Sequence, residues 1–183
     1  DVLTPALVEI GEAWYRGEIR VTTEHFACTF LRGKLLSLMQ TFPCRRNSNF
    51  LLVGCAPTEQ HEIGALMFTV MLRSNCFQVE YLGPDIPLDD LVDYAKYEHP
   101  AAVILTASTE ATAMELQHFQ EKLRHLKRQP LFAYAGRAFT SDPRLCQKIP
   151  GLYLGPTLDK GVETLRSVLM GEKPGESGRR KKS

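Results

Sequence analysis

The chain has 183 residues, enough for one ordinary domain and a smaller appendage, and its 44% hydrophobic and 23% charged residues are globular in character. No apolar run approaches the ~20 residues of a membrane span, no signal peptide is visible, and five cysteines without CxxC pairs suggest reduced thiols in a cytoplasm. The net charge of +1 is uneven: residues 171–183 carry five basic and two acidic groups, leaving −2 for residues 1–170, a poor balance for gripping DNA. A chain that opens on Asp1 without an initiator Met is expected to belong to something longer.

Thr4-Pro5 predicts a helix start, with an N-cap hydroxyl followed by Pro at the first helical position. Leu3, Leu7, Ile10 and Trp14 then repeat at helical spacing, and Gly17 ends the run. A second helix is predicted from Thr22 or Thr23 to about Gln40, with Cys28, Leu31, Leu35 and Leu38 in one stripe and Phe26, Phe30, Leu36 and Met39 beside it. One short partner cannot cover so much apolar surface. Further helices, upstream or from another subunit, are expected to complete a bundle from this cap of residues 1–41. Residues 42–48, FPCRRNS, read as a linker.

From Asn49 the pattern becomes strand, helix, strand, helix. Asn49 to Cys55 is a buried strand, Ala56-Pro57-Thr58 breaks it, and a helix begins at Ile63. Phe77, Val79 and Tyr81 alternate, Leu88, Leu91, Val92 and Ala95 make a helix, and Ala101 to Ala107 is a continuous apolar strand. One helix over Leu116, Phe119, Leu123 and Leu126 follows, then strands at Leu131–Tyr134 and Leu152–Leu154 and a final helix through Val162, Leu165 and Leu169. Five strands alternating with helices over residues 49–170 predict an α/β fold, a flavodoxin-like (Rossmann-like) doubly wound parallel sheet. No GxGxxG or GxxxxGK follows the first strand, so no phosphate loop is visible. Residues 171–183 lack large apolar residues and are expected to be disordered. Their Arg179-Arg180-Lys181-Lys182 run fits a solvated end, a linker to another domain, or a contact with nucleic acid.

His61 falls in the connection after the first strand, at the carboxyl edge where parallel α/β sheets bind ligands. Glu59 is close enough to hold one ring nitrogen and leave the other for a metal; Gly64 removes a side chain where something bulky would approach. Such a His is otherwise a plain surface residue.

The spacing of the strand ends carries more. Glu59-Gln60-His61-Glu62-Ile63-Gly64 is followed after 41 residues by Thr106-Ala107-Ser108, and after 26 more by Ala135-Gly136. This resembles the cobalamin-binding domains, whose signature is D-x-H-x-x-G, 41 residues, S-x-L, 26–28 residues, then G-G. Glu59 stands for the Asp, Thr106 for the Ser, Ser108 for the Leu and Ala135 for the first Gly. The resemblance covers residues 49–170. It implies that His61 is the cobalt ligand from below, steadied by Glu59, with Gly64, Thr106, Ser108, Ala135 and Gly136 lining the way for the displaced nucleotide tail.

Trp14, nine residues, then Glu24-His25 resembles the W-x9-E-H pattern of the CarH-type (MerR-family) light-sensing, adenosylcobalamin-dependent regulators. GEAWYRGEI (Gly11 to Ile19) and YLGPD (Tyr81 to Asp85) are similar too. The resemblance implies that Trp14, Val21, Glu24 and His25 cover the upper, adenosyl face, and it adds Asp85 to the cofactor-binding residues. On the residues alone, Trp14 also reads as a core anchor and Glu24-His25 as a first-turn polar pair. One departure is clear. In that family a His follows the Trp and captures cobalt once the adenosyl group is lost, whereas here Tyr15 follows, and a phenol with pKa about 10 is a poor ligand at neutral pH.

The expected function is therefore a cytoplasmic cobalamin-binding sensor module. Adenosylcobalamin is the favoured cofactor and methylcobalamin a second; the module is expected to control homo-oligomerisation or an attached output domain. DNA would be reached only through a domain absent from this chain, and no membrane is involved. Two rivals stand beside it: a corrinoid carrier subunit of a methyltransferase system, and a sensor adapted to a bilin, which Tyr15, Cys28 and Cys55 leave open. No Ser-His-Asp, Cys-His or paired-carboxylate arrangement argues for independent catalysis.

Overall fold

The computed structural model describes residues 9, 13, 16–42 and 50–171. The chain divides into two units, residues 1–41 and 42–183. In the first, helix α1 spans Val21–Gln40 and enters from an extended Arg20. Leu35 is buried, while Phe26 (73% exposed), Phe30 and Leu38 stand in solvent. Trp14 and Tyr15, the linker 43–48 and the tail from 172 onward lie outside the described residues, as does most of the first helix expected from the sequence.

The second unit is a five-stranded, all-parallel sheet in the order β2-β1-β3-β4-β5. Strands β1 (Phe50–Cys55), β2 (Gln78–Gly83), β3 (Ala102–Thr106), β4 (Leu131–Ala135) and β5 (Leu152–Tyr153) are the predicted ones. Helices α2 (Ile63–Ser74), α3 (Leu88–Glu98) and the last, Leu158–Met170, connect or close them. This is the doubly wound, flavodoxin-like fold expected from the alternation of elements.

Period-two alternation within a two-sided sheet divides the core. Leu51, Val53 and Cys55 of β1 face a cluster with Ala65, Phe68 and Leu72 of α2 and with Val162 and Leu165. Leu52 points the other way, with Val103, Leu105, Phe132 and Tyr134, toward Leu91 and Ala95 of α3 and Phe119. Each fully buried Val, Leu or Phe side chain among these contributes on the order of 1.5–3 kcal/mol. Gly161 lets the last helix seat directly on α2, since a Cβ there would come within 2.9 Å of the Phe68 ring.

Two departures from the sequence reading concern the stretch after β3. The single helix expected through Leu116–Leu126 is two short pieces, α4 (Glu110–Met114) and α5 (Phe119–Leu123). Thr109 starts the first with a capping box to Thr112, earlier than the apolar spacing suggested. Between β4 and β5 the sequence reading had no helix, but α6 (Arg137–Ser141) and a 3₁₀ turn (Pro143–Gln147) lie there, the latter capped by Asp142. The closing helix is thus α7. Among the described residues no helix is long and apolar enough to cross a membrane.

Candidate functional site

The strand order reverses between β1 and β3, so the loops after them diverge and open a cleft at the carboxyl edge. Both loops end on one carboxylate. Glu59 is 1% exposed, yet its two oxygens accept five hydrogen bonds. Oε1 accepts from the His61 backbone N–H at 2.9 Å and from His61 Nδ1 at 2.6 Å. Oε2 accepts from Ser108 N–H at 2.6 Å, Ser108 Oγ at 2.5 Å and Thr112 Oγ1 at 2.9 Å. Burial by itself would raise the Glu59 carboxyl, but the Ser108 hydroxyl, the two backbone amides and the His61 ring outweigh it and hold it down at about 2. The group is a fixed anion at neutral pH.

That anion sets the imidazole. With Nδ1–H given to Glu59, the neutral ring carries its free electron pair on Nε2, and the side chain is 76% exposed. Ser108 Oγ, 3.1 Å from Nδ1, flanks the same edge. A Cβ on Gly64 would meet no atom within 4 Å, so the surface beside the ring is open.

The other predicted residues fall as follows. Thr106, 8% exposed, donates from Oγ1 to Cys55 Sγ at 3.5 Å. Ala135 ends β4, and its carbonyl accepts the Ala107 N–H at 3.1 Å. Gly136 has φ +124°, and a Cβ there would lie 2.2 Å from the Ala107 carbonyl oxygen, so no other residue fits. We expect Gly136→Ala to destabilise the fold by roughly 1–3 kcal/mol by pushing the β3 and β4 ends apart, read as a lowered urea midpoint at constant slope. Asp85, at φ +53°, is exposed and bonded to the His61 loop. In the first unit, Val21 opens α1 and is exposed. Glu24 Oε1 accepts from Cys28 Sγ at 2.9 Å and its Oε2 lies 3.6 Å from His25 Nε2. Trp14 lies outside the described residues.

Sequence reasoning missed Thr112 and Tyr81, whose hydroxyl donates to Glu62 Oε2 at 2.8 Å. The T-x-x-T capping pattern after β3 was the available signal for Thr112. A surface depression of about 690 Å³ lined by Gln120, Arg124, Pro130, Phe132 and Leu152 lies at the opposite, amino ends of β4 and β5. It lies at the other end of the sheet from the Glu59–His61 pair.

The donor set decides what metal chemistry fits. Among the described residues no three His, Cys, Asp or Glu side chains converge on one point, and at this edge the group open to a metal is the His61 imidazole. A single neutral nitrogen backed by a carboxylate suits a metal already held by a ring of other ligands, such as cobalt in a corrin. A family model described as "B12 binding domain" matches residues 51–157, and a second with the same description matches residues 1–38. The chain belongs to the B12-binding-domain family. Its cofactor is cobalamin.

This B12-binding domain is 29% identical over 150 residues to the HTH-type transcriptional repressor CarH of Myxococcus xanthus, with 81% of the chain and 50% of that protein covered. It thus spans about half the length of the curated relative. Among solved structures, the monomethylamine corrinoid protein of Methanosarcina barkeri is similar with a TM-score of 0.74 at 18% identity, over 91% of this chain and 80% of that one. A cobalamin-binding protein from Desulfitobacterium hafniense DCB-2 gives 0.59 at 20% identity, over 87% and 76%. At such identities the likeness is one of fold.

Proposed function

We propose that this B12-binding domain is a light-responsive sensor that uses adenosylcobalamin to control its own oligomerisation or an attached output domain. The observation that carries the reading is the Glu59–His61 pair, which presents one unencumbered Nε2 from a rigid carboxyl edge. His61 would hold the cobalt through Nε2, with Glu59 fixing its tautomer and Ser108 and Thr112 fixing Glu59. When bound, the cofactor supplies a cobalt–carbon bond that light breaks. Similarity to the HTH-type transcriptional repressor CarH favours a regulatory rather than a carrier role, and Trp14 with Glu24-His25 favours the adenosyl form. Homo-oligomerisation is the expected partner interaction, and any DNA contact is assigned to a domain outside this chain.

The test is an absorption spectrum and a sizing run on the adenosylcobalamin-loaded protein, in the dark and after green light. A light-dependent change in both supports the sensor. A bleached spectrum with an unchanged oligomeric state, and equal affinity for methylcobalamin, would move the assignment to a corrinoid carrier.

Tyr15 sharpens the experiment. With no His after Trp14, the light product should remain open to added cyanide, so its spectrum should shift on titration. Tyr15→His should make the product resist the same cyanide concentration. If the unaltered protein already resists it, another residue closes the upper face, and His25 is the first to replace.

A further inference from the structure

The loop that carries His61 is held from both sides. Residues 59 and 61 are tied through the Glu59 carboxylate to Ser108 and Thr112 beyond β3. Residues 58, 60 and 62 are tied to the end of β2. Thr58 donates its backbone N–H to Asp85 Oδ1 at 2.7 Å, and Gln60 Nε2 donates to Asp85 Oδ2 at 3.3 Å. Asp85 returns its own N–H to the Glu59 carbonyl at 3.0 Å, and Tyr81 donates its hydroxyl to Glu62 Oε2 at 2.8 Å.

The backbone confirms that this is a clamp under load. Thr58 has φ +62° and Asp85 φ +53°, both left-handed. Asp adopts that region readily, but a β-branched Thr rarely does, and such a conformation persists only where its surroundings over-determine it. Thr58 sits three residues before His61, and its N–H is held by the Asp85 carboxylate. Releasing that bond frees the loop to leave the conformation in which Nε2 projects from the edge.

We propose that Asp85 and Tyr81 are positioning residues that preform the His61 loop before cobalamin arrives, with Asp85 acting on the loop rather than on the cofactor. The inference rests on the reading of His61 as the cobalt ligand. A loop that is competent only part of the time binds with an apparent Kd raised by the inverse of that fraction, so loosening the clamp weakens binding without changing the bound state.

The experiment uses the full chain with Asp85→Gly, Asp85→Asn and Tyr81→Phe. Gly suits the positive φ but removes both acceptors; Asn tolerates it and keeps an oxygen for Thr58; Phe removes only the hydroxyl. Amide exchange is followed on the cofactor-free protein, and Kd is measured with hydroxocobalamin. In Asp85→Gly the Thr58 amide should exchange roughly 10-fold faster while Val103 and Ile104 in β3 keep their rates, and Kd should rise roughly 10-fold with the saturated spectrum unaltered. Asp85→Asn should stay within about 3-fold of the parent in Kd, and Tyr81→Phe should speed exchange at Glu62 and raise Kd about 3-fold or more. Unchanged Thr58 exchange in Asp85→Gly, or an Asn variant as weak as the Gly variant, would overturn the proposal, the latter because it would mean that the charge itself meets the cofactor. Should Asp85→Gly not fold, Tyr81→Phe decides alone: unchanged Glu62 exchange and Kd would overturn it. The ligand reading fails separately, if His61→Ala gives the parent's saturated spectrum, while exchange in the cofactor-free protein still reports on the clamp.

Discussion

If His61 holds the cobalt as proposed, His61→Ala should bind cobalamin roughly 100-fold or more weakly than the parent, and the bound cofactor should show an altered absorption spectrum. The same substitution should barely touch the fold. The imidazole is 76% exposed, with Glu59 and Ser108 Oγ beside Nδ1, so the change in unfolding free energy should stay within about 0.5 kcal/mol. Glu59 keeps its Ser108 and Thr112 donors and the residue-61 backbone N–H. Affinity and stability thus come apart, and the pair of measurements is more telling than either. An unchanged spectrum at saturation would remove His61 from the cobalt.

Glu59 should behave differently, with both quantities falling together. Glu59→Ala deletes an acceptor of five hydrogen bonds and leaves the Ser108 and Thr112 hydroxyls and two backbone amides facing a void. Orphaning a buried network of this kind costs roughly 3–5 kcal/mol, measurable as a lowered urea midpoint. Glu59→Gln is the finer probe. If its carbonyl oxygen serves Ser108 and Thr112, its NH₂ group meets two more donors, the His61 amide and Nδ1–H, and the ring must turn or change tautomer. Cobalamin affinity should fall about 10–100-fold with the shape of the site preserved.

The same carboxylate gives the cofactor-free protein an acid dependence. Its folded pKa, about 2, lies below the ordinary 4.5, so the native state favours the ionised form. The stability it contributes is complete above pH 4.5 and is lost as pH falls from there toward 2, about 3 kcal/mol in all. Glu59→Gln should flatten that part of the stability curve. A parent and variant with parallel acid unfolding profiles would show that the carboxylate is not held as described.

How much of this was legible beforehand depends on the kind of signal. The apolar runs at Leu51–Cys55 and Ala102–Ala107 have no alternative to burial on both faces, so the sheet and its parallel order could be read directly. The Glu59–His61 pairing is local, two residues apart, and could be read as well. Thr112 could not, because its hydroxyl meets Glu59 across 53 residues only after β1 and β3 are laid side by side. Asp85 was named among the cofactor-binding residues from the YLGPD resemblance alone; that its carboxylate accepts the Thr58 N–H, 27 residues away, has no signal in the sequence. The helical spacing of Leu116, Phe119 and Leu123 was real, but the Thr109 cap and a turn before Phe119 cut the expected helix into two.

The join at Gly136 is made of main chain rather than side chains. There the ends of β3 and β4 lie so close that main chain packs on main chain: Ala138 N–H donates to the Ala107 carbonyl, and Ala107 N–H to the Ala135 carbonyl. A surface made of peptide groups has no side chains to drift. The side chains of Ala107 and Ala135 take no part in these bonds, so the join depends on one residue, Gly136, having no Cβ.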